Sequence, residues 1–316
     1  MKFAIVGAGG IGCYYAARLI HAGHECVLVA RGKHLQALQQ HGLQLQHPQF
    51  VFDAPVIATD VAGLCQDYAC EDFDLLILAA KSSATIPLME QLQSWVVTAK
   101  TPMLSLQNGV TNEKHIAAIM GMERTAGGLA VKIGAHIVAP GKVEATGEAQ
   151  IDFGAWPSAA ANPGLQPLLA VLSPLFTEAG IPNTLYDKVN YALWRKLVIN
   201  NGVNPLTALT LMDTQAVTSD PVLRHTVHRM MEETARAANI AGVSLTAEDV
   251  EQMFSLICRF DAIKTSMQVD REKGRPMEIE DICGPVIQYC REGGQPAETT
   301  ELIRSLLLRA SALDHR

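Results

Sequence analysis

Residues 2–12 read Lys2-Phe3-Ala4-Ile5-Val6-Gly7-Ala8-Gly9-Gly10-Ile11-Gly12. An apolar run enters glycines at 7, 9 and 12, and an amphipathic stretch over residues 11–22 follows. That order predicts a buried strand, a G-x-G-x-x-G turn and a helix. The first glycine admits the tight turn, the second lets backbone approach a pyrophosphate, and the third lets helix pack closely on strand. The helix start adds N–H donors and the positive end of its dipole. Gly7, Ala8, Gly9, Gly10, Ile11 and Gly12 are therefore candidate dinucleotide ligands. The plainer alternative is a glycine turn chosen for packing alone. Gly23 stands where a left-handed residue closes the helix.

Further strand candidates lie at residues 26–29, 75–78 and 103–106, each short, rich in aliphatic residues and suited to burial on both faces. They alternate with amphipathic segments, the pattern of βαβ units around a mostly parallel, doubly wound sheet. Residues 127–153 carry repeated glycines and alternating apolar positions, which predicts hairpin-like strands. A Pro/Gly-rich loop at 159–163 and a helix over 166–179, closed by Gly180, follow. From Asp187 onward helical periodicity takes over, at residues 188–211, 221–241, 247–270 and 298–312. The expected architecture is α/β: a Rossmann-type domain over residues 1–187, then an all-α substrate and catalytic domain over 188–316.

Composition narrows the function classes. The chain has 316 residues, 48% of them hydrophobic, with 25 basic against 32 acidic side chains and a net charge of −7. No basic run relieves that balance and aromatics are only 5%, which argues against nucleic acid or an anionic membrane as partner. The apolar stretch before Gly7 is too short for a signal peptide. The longest apolar run, residues 75–80, is a core strand, since a membrane span needs about 20 residues. Seven scattered cysteines suit free thiols in a reducing compartment, so a cytoplasmic protein is expected. Cys65 with Cys70, Cys283 with Cys290, and His225 with His228 lack a third ligand, so no metal is expected. Cys13 reads as packing. Glu232 and Glu233, beside Arg229 and Arg236, read as a solvated helix face.

Four features carry chemistry. An NAD site usually has Asp or Glu about 20 residues past the glycine motif, on the ribose 2′-hydroxyl. Here Val29 runs into Ala30-Arg31-Gly32-Lys33 with no acid. Arg31 can instead pair with a 2′-phosphate, which selects NADP(H), unless it is a plain surface arginine. Lys81 and Asn108 each follow a predicted parallel strand, at the ends where open α/β sheets bind ligands, although either could be a loop residue bonding backbone. Lys196, Asn200 and Asn204 fall at i, i+4 and i+8 in an otherwise apolar helix. Buried amides and an ammonium without partners cost several kcal/mol, so this stripe faces water or lines a polar cleft. The segment from Ser266 to Glu280, with Gly274 and Pro276, taken alone is an ordinary charged helix end followed by a turn.

Together these residues resemble the ketopantoate reductases (2-dehydropantoate 2-reductases) of the ApbA/PanE group. The likeness runs from the glycine turn through Ala30-Arg31-Gly32, Lys81 and Gln107-Asn108-Gly109 to Trp194-Arg195-Lys196-Leu197. It continues through Asn200, Asn204-Pro205-Leu206-Thr207-Ala208 and Ser266-Met267 to Glu278-Ile279. The resemblance implies NADPH-dependent reduction of 2-dehydropantoate to (R)-pantoate, a step toward pantothenate and coenzyme A. It implies Lys196 as general acid at the ketone oxygen, and Asn200, Asn204 and Ser266 as substrate contacts. Asn108 and Lys81 would lie at the nicotinamide and substrate side, with Glu278 lining the same site. It leaves open a homodimer formed through the helical domain.

Two departures bear on the substrate more than on the chemistry. Met212-Asp213-Thr214-Gln215 stands where relatives place a further asparagine, and Met277 where threonine is frequent. The rival readings are a reductase of the same family for another 2-oxo acid, and a dinucleotide sensor without turnover. Sensing needs no proton donor, so Lys196 speaks against the second.

Overall fold

A computed structural model describes residues 1–259 and 262–314. The chain divides into two units, Met1–Gln107 with Asn112–Val189, and Asn108–Thr111 with Asn190–Arg316. The first is built on a ten-stranded mixed sheet. Its elements run β1 (Lys2–Val6), α1 (Gly10–His21), β2 (Glu25–Val29), α2 (Gly32–His41), β3 (Leu43–His47), β4 (Phe50–Ala54) and β5 (Ile57–Thr59). Then come α3 (Val61–Asp67), β6 (Leu75–Leu78), α4 (Thr85–Val96), β7 (Met103–Ser105), α5 (Asn112–Met120), β8 (Thr125–Ala139) and β9 (Lys142–Ala155). α6 (Gln166–Glu178) and β10 (Asn183–Leu185) close the unit.

The sheet order is β4-β3-β9-β8-β7-β6-β1-β2-β5, with β10 beside β9. From β5 to β8 all pairs are parallel, whereas β8–β9 and β3–β4 are antiparallel. The central strands are apolar on both faces because both are covered. Phe3, Ile5, Leu28, Leu75 and Ile77 join the core under α1 and α6, while Ala4, Val6, Val27, Leu76 and Leu78 join the core under α3, α4 and α5. The chain winds outward from β1 to β2, then returns to lay β6 on β1's other side. That reversal puts the topological switch point, the usual ligand position in such sheets, at the carboxyl ends of β1 and β6.

The four apolar strands and the long hairpin agree with the sequence expectation. The β3–β4 hairpin, with Leu43 paired to Ala54 and Leu45 to Phe52, was not anticipated. Its apolar residues alternate with Gln44, Gln46 and Asp53, since β3 and β4 bury one face only.

The second unit is helical: α7 (Val189–Thr210), α8 (Thr214–Ser219), α9 (Pro221–Ile240), α10 (Ala247–Cys258), α11 (Ser266–Glu272), α12 (Ile279–Glu292) and α13 (Glu298–Asp314). Two expectations are corrected here. The continuous helix predicted over 247–270 is two helices, and part of that prediction, residues 260–261, lies outside the described residues. The break is built by caps and a crossing. Thr265 accepts from the Gln268 amide at the start of α11, and Ile263 exchanges bonds with Thr214 at the start of α8.

The second correction concerns Glu233, which is 2% exposed rather than part of a solvated face. Its carboxylate accepts from Thr299 N (3.0 Å), Thr300 N (2.8 Å) and Thr300 Oγ1 (2.6 Å), satisfying the open amides of α13's first turn. Asn201, fully buried in α7, donates to Thr300 Oγ1 (3.1 Å) and Thr234 Oγ1 (3.0 Å), which ties α7, α9 and α13 together. Among the described residues no helix is long and apolar enough to cross a membrane.

Candidate active site

The glycine turn sits at the switch point, and its three motif glycines meet three different surroundings. Gly7 has φ +99°, and a side chain there would lie 2.5 Å from the Ala80 amide in the turn after β6. A Cβ on Gly12 would lie 2.3 Å from the Gly7 carbonyl. A Cβ on Gly9 would meet nothing within 4 Å among the described residues. The first and third glycines are thus required by close packing, and the second leaves an open cradle. No side chain caps the start of α1 and no acid occupies its first turn. An uncapped helix start beside the open space at Gly9, with β8 backbone packed against Gly10 on its other side, fits a pyrophosphate, which needs N–H donors and a positive dipole end.

Arg31 is exposed at the end of β2, in the N-cap position of α2. An exposed guanidinium at that strand end suits a ribose phosphate, and no carboxylate stands beside it in the sequence. Cys13 is fully buried in α1, and burial pushes its thiol up to about 12, which makes it inert packing.

Lys81 is exposed and opens a 3₁₀ turn over Ser82–Ala84, directly after β6. A buried polar network, missed from sequence, holds that turn. The Gln107 amide donates to Ala80 O (3.0 Å), Lys81 O (3.3 Å) and Thr85 Oγ1 (2.8 Å). Thr85 in turn donates to Asn112 Oδ1 (2.8 Å), and Ser105 donates to Gln107 Oε1 (3.3 Å). The available signal was polar residues at the end of an apolar strand, but loop composition hides which of them are buried.

In the second unit, α7 carries Lys196, Asn200 and Asn204 one turn apart. Lys196 and Asn200 are half-buried and Asn204 is 5% exposed. The neighbours of Lys196 are structural. Trp194 is buried edge-on against Tyr289 of α12. Arg195 reaches Asp249 of α10 at 3.9 Å, where Tyr191 also donates to the same carboxylate (2.5 Å). Desolvation pushes Asp249 up, but the hydrogen bonds from Tyr191 and Thr246, together with Arg195, outweigh it and hold its carboxyl below the usual range.

α11 is pinned to the carboxyl-terminal half of α7. Thr207 Oγ1 donates to Asn204 O (3.0 Å) and shares a 2.6 Å bond with Thr265 Oγ1, immediately before Ser266. Arg271 donates to Ala208 O (2.6 Å) and Leu209 O (3.0 Å) near the end of α7, where carbonyls lack helical partners. Ser266 is exposed at the first position of α11. Glu278, 9% exposed, occupies the N-cap position of α12 and accepts from Asn108 Nδ2 at 3.1 Å. The structure therefore joins Asn108 to Glu278, and links Ser266 through Thr265 to the stripe on α7. Among the described residues no group of three or more His, Cys, Asp or Glu is placed to hold a metal ion.

A doubly wound sheet with an open glycine cradle at its switch point is the construction of a Rossmann-type dinucleotide domain, here followed by a helical unit that carries a lysine and two amides on one helix face. Two family models describe the same pairing. Ketopantoate reductase PanE/ApbA matches residues 3–158, and Ketopantoate reductase PanE/ApbA C terminal matches residues 188–310. The chain belongs to the ketopantoate reductase family and is an oxidoreductase of that family.

Its relatives include a 2-dehydropantoate 2-reductase of Pyrococcus abyssi, 25% identical over 99% of both chains. Another is a 2-dehydropantoate 2-reductase of Mesorhizobium japonicum, 28% identical over 98% of this chain and 97% of the relative. Among solved structures, a PanE/ApbA family ketopantoate reductase from Ralstonia eutropha superposes with a TM-score of 0.87 at 26% identity, covering 100% of both chains. A D-mandelate dehydrogenase, solved with NADH and anilino(oxo)acetate, shares the fold with a TM-score of 0.89 at 23% identity over 100% of both chains.

Proposed function

We propose that the chain uses NADPH to reduce 2-dehydropantoate to (R)-pantoate. The observation that carries this reading is the placement of Lys196, Asn200 and Asn204 one turn apart on α7, with Asn204 buried. Reduction of a 2-oxo acid needs a hydride donor at the carbonyl carbon and a positive proton donor at the growing alkoxide. The nicotinamide supplies the hydride when bound. Lys196 donates its proton to the ketone oxygen, and its charge stabilises the alkoxide before transfer. Asn200, Asn204 and Ser266 orient the carboxylate and hydroxyl, so that the carbonyl is held in a reactive pose. The Gly7–Gly12 turn receives the pyrophosphate, Arg31 the 2′-phosphate, and Lys81, Asn108 and Glu278 the nicotinamide side.

The direct test is NADPH oxidation by the purified protein against a panel of 2-oxo acids that includes 2-dehydropantoate. A kcat/KM for 2-dehydropantoate well above the others supports the reading, and no turnover with it overturns the substrate assignment. A preference for a different 2-oxo acid is the second reading, favoured by half-buried Met277 next to Glu278 where threonine is frequent in the family.

Two substitutions probe the parts. Arg31→Ala is expected to weaken NADPH about tenfold or more, the worth of a charge-assisted bond to phosphate, while NADH changes little. Equal weakening of both nucleotides in a binding titration removes Arg31 from cofactor choice. Ser266→Ala is expected to raise KM for the oxo acid several-fold with nucleotide affinity unchanged, and an unaltered KM rejects the contact.

A further inference from the structure

Glu113 is a fully buried carboxyl in the first turn of α5, and neither of its oxygens has a hydrogen-bond partner. Burying an unpaired carboxyl costs free energy, far more when it is ionised than when it is neutral. Burial pushes the carboxyl up to about 7, against smaller opposing pulls from its own backbone N–H and from the Ser105 hydroxyl, which lies close by but outside hydrogen-bond geometry. No charged side chain is among the causes of that shift. The other titratable groups on α5 and the elements packed against it are Lys114, His115, Glu90 of α4, Lys132 and His136 of β8, and Glu123 and Arg124 of the turn between α5 and β8. Arg124 is engaged by the carbonyls of Val96, Ala99 and Met120.

The direction of the neighbouring bonds gives Glu113 its role. The Gln107 amide group donates to the Ala80 and Lys81 carbonyls and to Thr85, so its Oε1 needs a donor, which is Ser105 Oγ at 3.3 Å. A hydroxyl has one proton. Ser105 Oγ already accepts from the Gln107 backbone N–H at 3.4 Å; its second lone pair is open to a further donor, and a neutral carboxyl is one. An ionised Glu113 would claim the Ser105 proton for itself and leave Gln107 Oε1 without it.

We propose that Glu113 is a positioning residue for the cofactor end of the site: when neutral it donates to Ser105, Ser105 donates to Gln107, and Gln107 holds the turn that carries Lys81. The cofactor role of that turn rests on the reductase reading above, whereas the control of the turn by Glu113 does not. Ionisation of Glu113 loosens the Ala80–Lys81 turn and lowers nucleotide affinity. Glu113→Gln, of the same shape and always able to donate, locks the ordered arrangement. Ser105→Ala cuts the chain and removes the response to Glu113 while sparing the carboxyl.

The experiment has two arms, each comparing the wild-type protein with Glu113→Gln and Ser105→Ala from pH 6 to 8.5, a window chosen around the value of about 7 above. In the first, amide hydrogen exchange of residues 79–85 and 105–109 is followed in the nucleotide-free protein and corrected for intrinsic rates. In the second, NADPH and NADH dissociation constants are measured directly. Protection and affinity are expected to fall several-fold as pH rises through 7 in the wild type, and to follow no such step in either variant. Parallel pH profiles for wild type and Glu113→Gln in the exchange arm overturn the proposal. A wild-type protein that binds neither nucleotide overturns the reductase reading and the cofactor role of the turn together. In that case the exchange arm still decides whether Glu113 controls the turn.

Discussion

Lys196→Ala is expected to lower turnover by about 10²–10⁴-fold with NADPH affinity near that of the wild type. That range corresponds to about 3–5 kcal/mol of lost transition-state stabilisation. The size of the effect follows from position. Lys196 is half-buried on α7, one turn from Asn200 and two from buried Asn204. Neutral amides can orient a substrate beside the ammonium without forming an ion pair with it. Lys196→Arg should restore little, because guanidinium is a far weaker acid and its planar fork demands a different geometry. The measurement is kcat at saturating oxo acid together with nucleotide affinity. Turnover near the wild-type value removes Lys196 from the mechanism. Lost nucleotide binding with unchanged chemistry makes it a cofactor ligand instead.

The largest expected effect on stability lies at Glu233→Ala, which should cost the helical unit about 3 kcal/mol. The carboxylate accepts three bonds from Thr299 and Thr300 while only 2% exposed. Alanine leaves two amides and a hydroxyl at the start of α13 without their acceptor, and both Thr300 donors are buried. Glu233→Gln keeps the shape and loses the charge, so it should cost less than alanine. The check is the urea midpoint of the helical unit with hydrogen exchange of residues 301–308. Unchanged protection in α13 rejects the capping role.

Glu233 also shows where sequence reading stops. Beside Glu232, Arg229 and Arg236 it looks like one of several charges on an exposed helix face, and nothing local distinguishes it. Its partners lie 66 and 67 residues away, at the start of another helix. The same holds for Asn108 and Glu278, which bond across 170 residues. Lys196, Asn200 and Asn204 were legible because helical periodicity alone puts them on one face. Gln107 and Glu113 were not, since a turn and a helix start are normally solvated and only the packing around them makes them interior.

For the fold, the local pattern was sufficient wherever one physical requirement acts on neighbouring residues. Strands β1, β2, β6 and β7 must be apolar on both faces because helices cover both, and the glycines at 7 and 12 must lack side chains because a Cβ on either would lie within 2.5 Å of other backbone. These demands are written into consecutive positions, so the sequence by itself determined the dinucleotide turn, the parallel core and the change to helices. Tertiary structure alone decided the β3–β4 hairpin, the break between α10 and α11, and which charged and amide side chains are buried. Those outcomes depend on which distant segment supplies the partner for a hydrogen bond or covers an amphipathic face, and no window of neighbouring residues contains that information.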